Sequence, residues 1–289
     1  MGLRTKFNLV LLIVFALGLT VTGYVSYNLL QKNARDEVLR NAGLIMEAAL
    51  SMREYTTKHV SPNLDYQPDI FLPQTVPAFA ATEMMNELRK KYTDYSYKEA
   101  VLNPTNPRDR AVDWEADVIN GFRNDSQKTT LSGIRQGANN QSLYLAWPIK
   151  ITEAGCLSCH NTPDKAQPAM IAQYGSNNGF GWKLNETVGA QIVSVPMSLP
   201  IENANRAFAT FMASLTGVFV VLFIILNVML SMLIIRPITN MSEAANEIST
   251  GNMDIAEFSD KGHDEMALLA KSFNRMRRSL AKAITLIDD

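Results

Sequence analysis

Two cysteines and a histidine form the short motif in this chain that most clearly predicts chemistry. The only cysteines among the 289 residues are Cys156 and Cys159, and His160 follows directly. Cys-x-x-Cys-His is the spacing of c-type haem attachment. Two thiols three residues apart on a tight turn can add to the two vinyl groups of one porphyrin, and the next residue can place its imidazole beneath the iron. We therefore predict one covalently bound haem c, held by Cys156 and Cys159, with His160 as an axial iron ligand.

Other chemistries also use two cysteines at this spacing. A structural disulfide suits an oxidising compartment, although the ring closed by a Cys-x-x-Cys pair is small and strained. A thioredoxin-like dithiol usually opens a helix after a strand, and here Asn161, Thr162 and Pro163 follow without a helix-start pattern. A zinc site needs four ligands, and His59 is the only other histidine or cysteine between residues 32 and 206.

The second axial position of the iron has several candidate ligands. His59 is predicted to lie at the end of a long helix and is the candidate imidazole. Met46, Met52 and Met170 are candidate thioethers, and a methionine ligand raises the reduction potential relative to two histidines. Methionine also commonly fills gaps in a protein core, so packing is the alternative role for each of these residues. An open position would bind a small gas, whereas a filled one favours redox sensing or electron transfer.

Two uncharged runs predict membrane-spanning helices. Residues 7–31 and residues 207–235 contain no charged side chain, and each run exceeds the roughly 20 residues that a helix needs to cross a bilayer. The first run is long for the apolar region of a signal peptide, so we expect an uncleaved anchor.

Basic residues at the ends of these runs predict the orientation. Arg4 and Lys6 precede the first run, and Arg236 follows the second. The positive-inside rule therefore predicts a two-pass protein of the bacterial inner membrane with both termini in the cytoplasm. The segment between the runs is then periplasmic.

Residues 32–206 predict one domain of the α+β class. Apolar residues recur every three or four positions from Ala34 to His59, which predicts a long first helix that ends before Pro62. Later segments rich in β-formers predict an antiparallel sheet. The remaining predicted elements are helices over residues 77–91 and 113–122 and strands over residues 142–149 and 189–196.

Residues 236–289 carry two apolar stripes with heptad spacing, which predict two short helices that bury a narrow seam. Neither helix is long enough to be stable alone, and a single antiparallel hairpin would show the same stripes. Residues 251–262 form a connector, with Ile255 and Phe258 as predicted packing residues. The first stripe comprises Ile238, Met241, Ala245 and Ile248, and the second comprises Met266, Leu269, Phe273, Met276, Leu280, Ala283 and Ile287.

Composition argues against several functions. The formal net charge is −1, so no general basicity indicates nucleic-acid binding. No Ser-His-Asp set, phosphate-binding loop or carboxylate pair stands out, so we expect no enzymatic activity in this chain. Trp147, Trp182 and Tyr144 lie near the predicted strands and are candidates for a haem pocket or for plain core.

Several motifs between residues 35 and 200 occur together in a known family. In order, these are Phe-Leu-Pro at 71–73, Val-Pro-Ala-Phe-Ala at 76–80, Asn-Pro-Thr-Asn-Pro at 103–107, Asp-Trp-Glu at 113–115, Cys-Leu-Ser-Cys-His at 156–160, Tyr-Gly at 174–175, Gly-Phe-Gly-Trp at 179–182 and Gly-Ala-Gln at 189–191. The segment resembles the bacterial PAS-like periplasmic domains that carry one c-type haem. The resemblance implies a PAS-like fold, with haem on the two cysteines and on His160. The second axial ligand differs within that family, so nothing is implied for His59.

The C-terminal segment resembles a HAMP domain. The motifs are Arg-Pro-Ile at 236–238, Gly-Asn-Met at 251–253, Asp-Glu-Met at 264–266 and the run 268–276. The glycine that usually follows the Asp-Glu pair is missing, and Met266 stands there. The resemblance implies that the two stripes belong to a parallel four-helix coiled coil in a homodimer rather than to a hairpin.

The predicted architecture is a membrane-bound haem sensor that responds to redox state or to a small gas outside the membrane and relays the response through HAMP. No kinase, cyclase or methyl-accepting segment is recognisable, so we expect either a separate cytoplasmic signalling protein or a longer chain to supply the output. A membrane-tethered monohaem cytochrome for electron transfer is the alternative. The predicted segments are a cytoplasmic N-terminus (1–6), a first span (7–31), the sensor (32–206), a second span (207–235) and HAMP (236–289).

Overall fold

The structure is a computed structural model that describes residues 1–64, 69–136 and 141–288, with side chains as far as Ile284. The chain divides into two compact units. One unit is Tyr27–Ala207, and the other comprises Met1–Ser26 with Phe208–Asp289.

Eight helices and four strands make up the regular structure of the described residues. The helices are α1 (Leu3–Tyr55), α2 (Pro77–Lys91), α3 (Asp113–Asn124), α4 (Leu157–His160), α5 (Pro168–Tyr174), α6 (Ser198–Leu230), α7 (Arg236–Ser249) and α8 (Glu265–Asp288). The strands are β1 (Ser96–Val101), β2 (Leu131–Gln136), β3 (Gln141–Lys150) and β4 (Thr187–Pro196).

Two of these helices are long and apolar enough, by length and composition, to cross a membrane. They are α1 and α6, and they contain most of the uncharged runs identified in the sequence. Each is followed directly by a π-helical turn, at Thr56–Val60 and at Ser231–Ile235. The helical path that begins with α1 gives way to a 3₁₀ turn at Ser61–Asn63, where Pro62 cannot donate a backbone hydrogen bond. The predicted end of the first helix is therefore confirmed.

The four strands form one antiparallel sheet in the order β1-β4-β3-β2. The sequence predicted β3 and β4 to within two residues at each end. It did not predict β1 or β2, and it assigned no helix to the cysteine segment, where the structure has α4 and α5. The α+β class is confirmed.

The sheet buries both of its faces. On one face, α1 and α2 pack against side chains of β1, β3 and β4, and Val38, Ala42, Met46 and Ala49 of α1 are fully buried there. On the other face, Phe122 and Ile119 of α3 pack against Ala100, Ala146 and Ala190. Burying one large apolar side chain contributes about 1.5–3 kcal/mol, so these two layers hold the sheet between helices.

The HAMP segment consists of α7, α8 and the connector between them. Met241 and Ile248 of the first stripe are buried, but Ala244 is buried in the place of Ala245, one residue away from the predicted position. In the connector, Phe258 exchanges two hydrogen bonds with the buried Asn274 side chain and lies edge-on to Phe273. The predicted packing role of Phe258 is confirmed. Ile287 lies outside the described side chains.

Candidate haem-binding site

The Cys-x-x-Cys-His segment is a tight helical turn. A 3₁₀ turn at Ala154–Cys156 leads directly into α4, the single turn that carries Cys159 and His160. Both thiols are free; Cys156 is exposed and Cys159 is half-buried. The turn therefore presents two thiols near the surface, with His160 following within the same helical turn.

One ring nitrogen of His160 is held by the backbone. His160 Nδ1 lies 2.8 Å from the carbonyl oxygen of Gly179 and 3.4 Å from the Thr105 hydroxyl. Because a carbonyl oxygen only accepts, Nδ1 carries the proton and donates to Gly179. Burial lowers the pKa of His160, and the Gly179 hydrogen bond opposes this only in part. The ring is therefore neutral at neutral pH, with the Nε2 lone pair available to a metal.

Stacking restrains the same ring. The indole of Trp182 lies parallel to the His160 imidazole, with 4.0 Å between centroids and 14° between planes. A backbone hydrogen bond also joins the two residues, because Trp182 N–H donates to the carbonyl oxygen of His160. The imidazole cannot turn without losing this stacking contact and the hydrogen bond to Gly179. Of the three aromatic residues considered for a haem pocket, Trp182 is thus the one that contacts the motif.

The other two aromatic residues belong to the core. Trp147 packs at the edge of the α1 side of the sheet. Tyr144 lies on the opposite face against Trp114, with centroids 5.4 Å apart.

Gly179 allows its loop to approach so closely that its carbonyl oxygen accepts the hydrogen bond from His160. Its φ is +84°, a conformation that favours glycine. A Cβ atom at this position would lie 2.0 Å from the Thr105 hydroxyl oxygen. The Gly-Phe-Gly-Trp and Asn-Pro-Thr-Asn-Pro motifs are distant in sequence. They meet here because Gly179 has no side chain that would collide with Thr105.

The candidates for the second axial position are dispersed. His59 is exposed on the π-helical turn, and its ring lies 5.4 Å from Tyr55. Among the described residues, no hydrogen bond or ring contact joins it to the cysteine motif. Met46 is fully buried in the core, Met170 is buried in α5, and Met52 lies half-buried at the edge of the core. The assignment of His59 stays a prediction.

A buried polar cluster that the sequence did not predict joins α1 to β1. Arg53 of α1 donates to Glu99 of β1, and the Tyr97 hydroxyl donates to the same carboxylate at 2.8 Å. Burial opposes the charge of Arg53, but Glu99 outweighs this and raises the pKa of Arg53; a smaller contribution comes from Cys156. No local pattern revealed the cluster, because β1 itself was not predicted.

The half-buried carboxyl group of Asp109 predicts a pH-dependent stability. Burial, assisted by Glu99 and opposed by Arg108, raises the pKa of Asp109 from 3.8 to about 6. The folded chain therefore binds this proton more tightly than the unfolded chain. The stabilisation is complete below the unfolded pKa and is lost as the pH rises through about 6. The difference in pKa corresponds to about 3 kcal/mol.

Asp109→Asn should remove that part of the pH dependence. All three tryptophans lie in Tyr27–Ala207, so tryptophan fluorescence during chemical unfolding of the detergent-solubilised chain reports this unit. Between about pH 4 and neutral pH, the free energy of unfolding should fall by about 2 kcal/mol less in Asp109→Asn than in the unaltered chain. Asp117→Asn, at an exposed position of α3, is the control. Identical pH profiles for Asp109→Asn and the unaltered chain would contradict the prediction.

Side chains that could hold a bare metal ion do not gather in the described residues. No group of three or more His, Cys, Asp or Glu side chains converges there. The zinc alternative thus has no ligand set in the part of the chain that the structure describes.

Comparison with known proteins identifies both parts of the chain. The Tll0287-like family model matches residues 31–196, more than half of the chain, and the HAMP domain model matches residues 229–282. The chain belongs to the Tll0287-like family. It carries a Tll0287-like haem-sensor domain followed by a HAMP domain, the architecture predicted from the sequence.

Two individual proteins show more limited similarity. The sensor histidine kinase WalK of Bacillus subtilis (strain 168) is 35% identical over 98 residues, which are 34% of this chain and 16% of the kinase. The crystal structure of the cyanobacterial heme-protein Tll0287 aligns with 55% of this chain and 95% of its own, at 16% identity and a TM-score of 0.43. A sensor domain followed by HAMP indicates a signalling role in a membrane.

Proposed function

We propose that the chain is a c-type haem sensor whose haem is bound covalently through Cys156 and Cys159 and ligated by His160 Nε2. The observation that carries this proposal is the His160–Gly179 hydrogen bond. A histidine that binds a metal usually donates its other ring N–H to a carbonyl or carboxylate, which sets the tautomer and the ring orientation. His160 has that arrangement, and its two neighbouring thiols are free. The residues present therefore fit a single haem c.

When bound, such a haem would supply a reversible one-electron change and a site for a small diatomic ligand. The residues of the chain position the axial ligand and connect it to the sheet. Trp182 and Gly179 hold His160 in place, and the short path from the motif to β4 connects the site to the sheet. Ile151 N–H donates to the carbonyl of Glu186 at 2.9 Å, just before β4 begins. Trp182 stacks on His160 and lies shortly before Thr187, where β4 begins, so we expect a displacement at the motif to reach β4. Ser198, the first residue of α6, lies two residues beyond Pro196.

The proposed topology follows the basic residues. With Arg4 and Arg236 on the cytoplasmic side, residues 32–206 are periplasmic, which agrees with the oxidising compartment where c-type haem is attached. The proposed segments are the cytoplasmic residues 1–6, the spans 7–31 and 207–235, and HAMP over 236–289. The two long apolar helices α1 and α6 support two membrane crossings.

Apolar side chains of α8 support a homodimer. Leu269, Met276 and Leu280 belong to the predicted stripe and are 45%, 53% and 43% exposed in the single chain. Large apolar side chains in one stripe indicate a partner surface, and a second copy of the same two helices would cover them. We propose that this dimer switches between two packings, a kind of element that small displacements can bias, and that a cytoplasmic signalling protein reads the difference.

Cross-linking tests both the dimer and the relay. The haem would occupy both native cysteines, so Met276→Cys would introduce the one reactive thiol. A bismaleimide should join two copies in membranes, with a yield that differs between the reduced and oxidised protein. Lys271→Cys, on the charged outer side of α8, should cross-link several-fold less. No cross-link at Met276→Cys would contradict the dimer.

Electron transfer is the second candidate function, and the exposure of Cys156 favours it. A porphyrin edge attached to a surface thiol would be accessible to a redox partner. The cross-linking experiment separates the two functions, because a simple electron carrier predicts a yield that is independent of redox state.

A further inference from the structure

The outer face of α1, after the first uncharged run, carries a row of small and apolar side chains. Leu44, Ala48, Ser51 and Tyr55 are exposed and follow one another at intervals of four, three and four residues. Leu44 is 65% exposed and Tyr55 is 57% exposed. Side chains with this spacing lie in one line along a helix, so these four residues form a continuous row, which we call the α1 stripe.

The α1 stripe is separate from the core of its own domain. The fully buried side chains that α1 packs against the sheet are Val38, Ala42, Met46 and Ala49. An α-helix has 3.6 residues per turn, so the stripe points well away from this buried row. The Ser51 hydroxyl donates to the Glu47 carbonyl oxygen at 2.8 Å within the helix, so it does not need water as a partner. The stripe is therefore suited to contact another protein surface.

Charged side chains mark both ends of the α1 stripe. Glu37 lies seven residues before Leu44, and Lys58 lies seven residues after Ser51, so both continue the same row. The charge-free part, residues 44–55, is roughly 16 Å long at 1.5 Å per residue. Two copies of this part can meet without bringing like charges together, whereas the charged residues at its ends would repel their own counterparts.

The HAMP domain indicates which partner lies beside the stripe. The HAMP domain model matches residues 229–282, and this architecture indicates dimeric signalling in a membrane. Two copies that cross one membrane in the same orientation have parallel α1 helices, because α1 is one uninterrupted helix from Leu3 to Tyr55. A two-fold axis along these helices places each residue of the stripe against the same residue of the second copy.

We propose that the α1 stripe is the interface between the two sensor domains of the homodimer, packed as a short parallel coiled coil against a second copy of this chain. This inference rests on the proposed function, from which it takes the homodimer and the two spans, and it adds a contact outside the membrane. A stripe this short is too small to join two free domains. Copies that are already joined at HAMP meet at an effective concentration on the order of millimolar, so a short contact is sufficient. Such a contact can open and close while the dimer stays intact.

Disulfide formation between copies of the full chain in membranes is the first test. The haem would occupy the native cysteines, so each variant carries one introduced thiol, and the unaltered chain gives the background. Ala48→Cys and Ser51→Cys place the thiol in the middle of the stripe and should form a disulfide between copies under mild oxidation. Gly43→Cys and Glu54→Cys lie at the side of the same helix and should react several-fold more slowly. Equal rates at all four positions would overturn the proposal.

A charge placed on the stripe is the second test. Leu44→Glu sets two like charges against each other at the dimer axis, so the disulfide yield at Ser51→Cys should fall several-fold. Gly43→Glu adds the same charge one residue earlier, where nothing lies within 4 Å of an added Cβ, and should leave the yield unchanged. Both variants keep the buried residues of α1, and haem content measured alongside verifies the fold. An undiminished yield in Leu44→Glu would overturn the proposal.

The HAMP cross-link at Met276→Cys, measured in the same kind of membrane, separates this inference from the proposed function. We expect cross-linking both there and at the middle of the α1 stripe. Cross-linking at Met276→Cys, with none at Ala48→Cys or Ser51→Cys, would overturn the stripe interface and leave the HAMP dimer intact. No cross-link at any of these positions would contradict the homodimer itself.

Discussion

Replacing both Cys156 and Cys159 with serine should yield a chain that carries no haem after denaturation, even when it is produced with the haem-attachment machinery. The thioether bonds are the only links that survive unfolding, because axial ligation by His160 is lost when the turn of α4 unfolds. Covalent haem, measured by the absorbance of the denatured chain, should therefore fall to background. This is the largest effect expected of any substitution discussed above.

Single substitutions refine this result. Cys156→Ser and Cys159→Ser each leave one thiol, and each should retain haem through a single bond with a shifted reduced absorption band. Ser158→Ala changes the motif between the cysteines without touching a thiol and should retain normal haem content. Full haem loading of the double variant after denaturation would show that the cysteines do not attach the group.

Gly179→Ala should have the second largest effect. A positive φ costs an alanine about 1–3 kcal/mol, and the added Cβ would lie 2.0 Å from the Thr105 hydroxyl oxygen. The loop must therefore move, and the carbonyl that accepts from His160 Nδ1 moves with it. We expect the free energy of unfolding to fall by about 3 kcal/mol and the iron–histidine stretch in the resonance Raman spectrum of the reduced protein to shift.

Gly181→Ala provides the comparison for that prediction. Gly181 has a similar φ of +79°, but nothing lies within 4 Å of the position of its Cβ. This variant should lose the backbone contribution alone and keep the iron–histidine signal unchanged. If the two variants behave alike, the close contact with Thr105 has no influence on His160.

Local chemistry explains what the sequence could predict. The spacing of Cys156, Cys159 and His160 is a property of five consecutive residues, and the helix over Pro77–Lys91 begins at a proline and has one apolar face. The predicted bounds of α2 agree with the structure at both ends. In such segments, the residues that decide the structure are neighbours in the chain.

Long-range pairing explains what the sequence could not predict. The segment of β1 reads Ser-Tyr-Lys-Glu-Ala-Val and shows no alternation of apolar and polar residues. Glu99 is buried there because Arg53, 46 residues earlier on α1, pairs with its carboxylate. The support for His160 comes from Gly179, 19 residues away, and from Thr105, 55 residues away. No window of local sequence contains these contacts. For His59, the sequence predicted the position near the end of a helical segment, but it did not predict the ring contact with Tyr55.

Mass spectrometry of the tryptic peptide spanning residues 151–165 shows whether haem is bound covalently to the cysteine motif. Cleavage after Lys150 and Lys165 releases the complete cysteine motif in one fragment. In protein produced with the haem-attachment machinery, we expect this peptide with the mass of one haem added across both thiols. The same peptide with free thiols, or with a disulfide between Cys156 and Cys159, would contradict it.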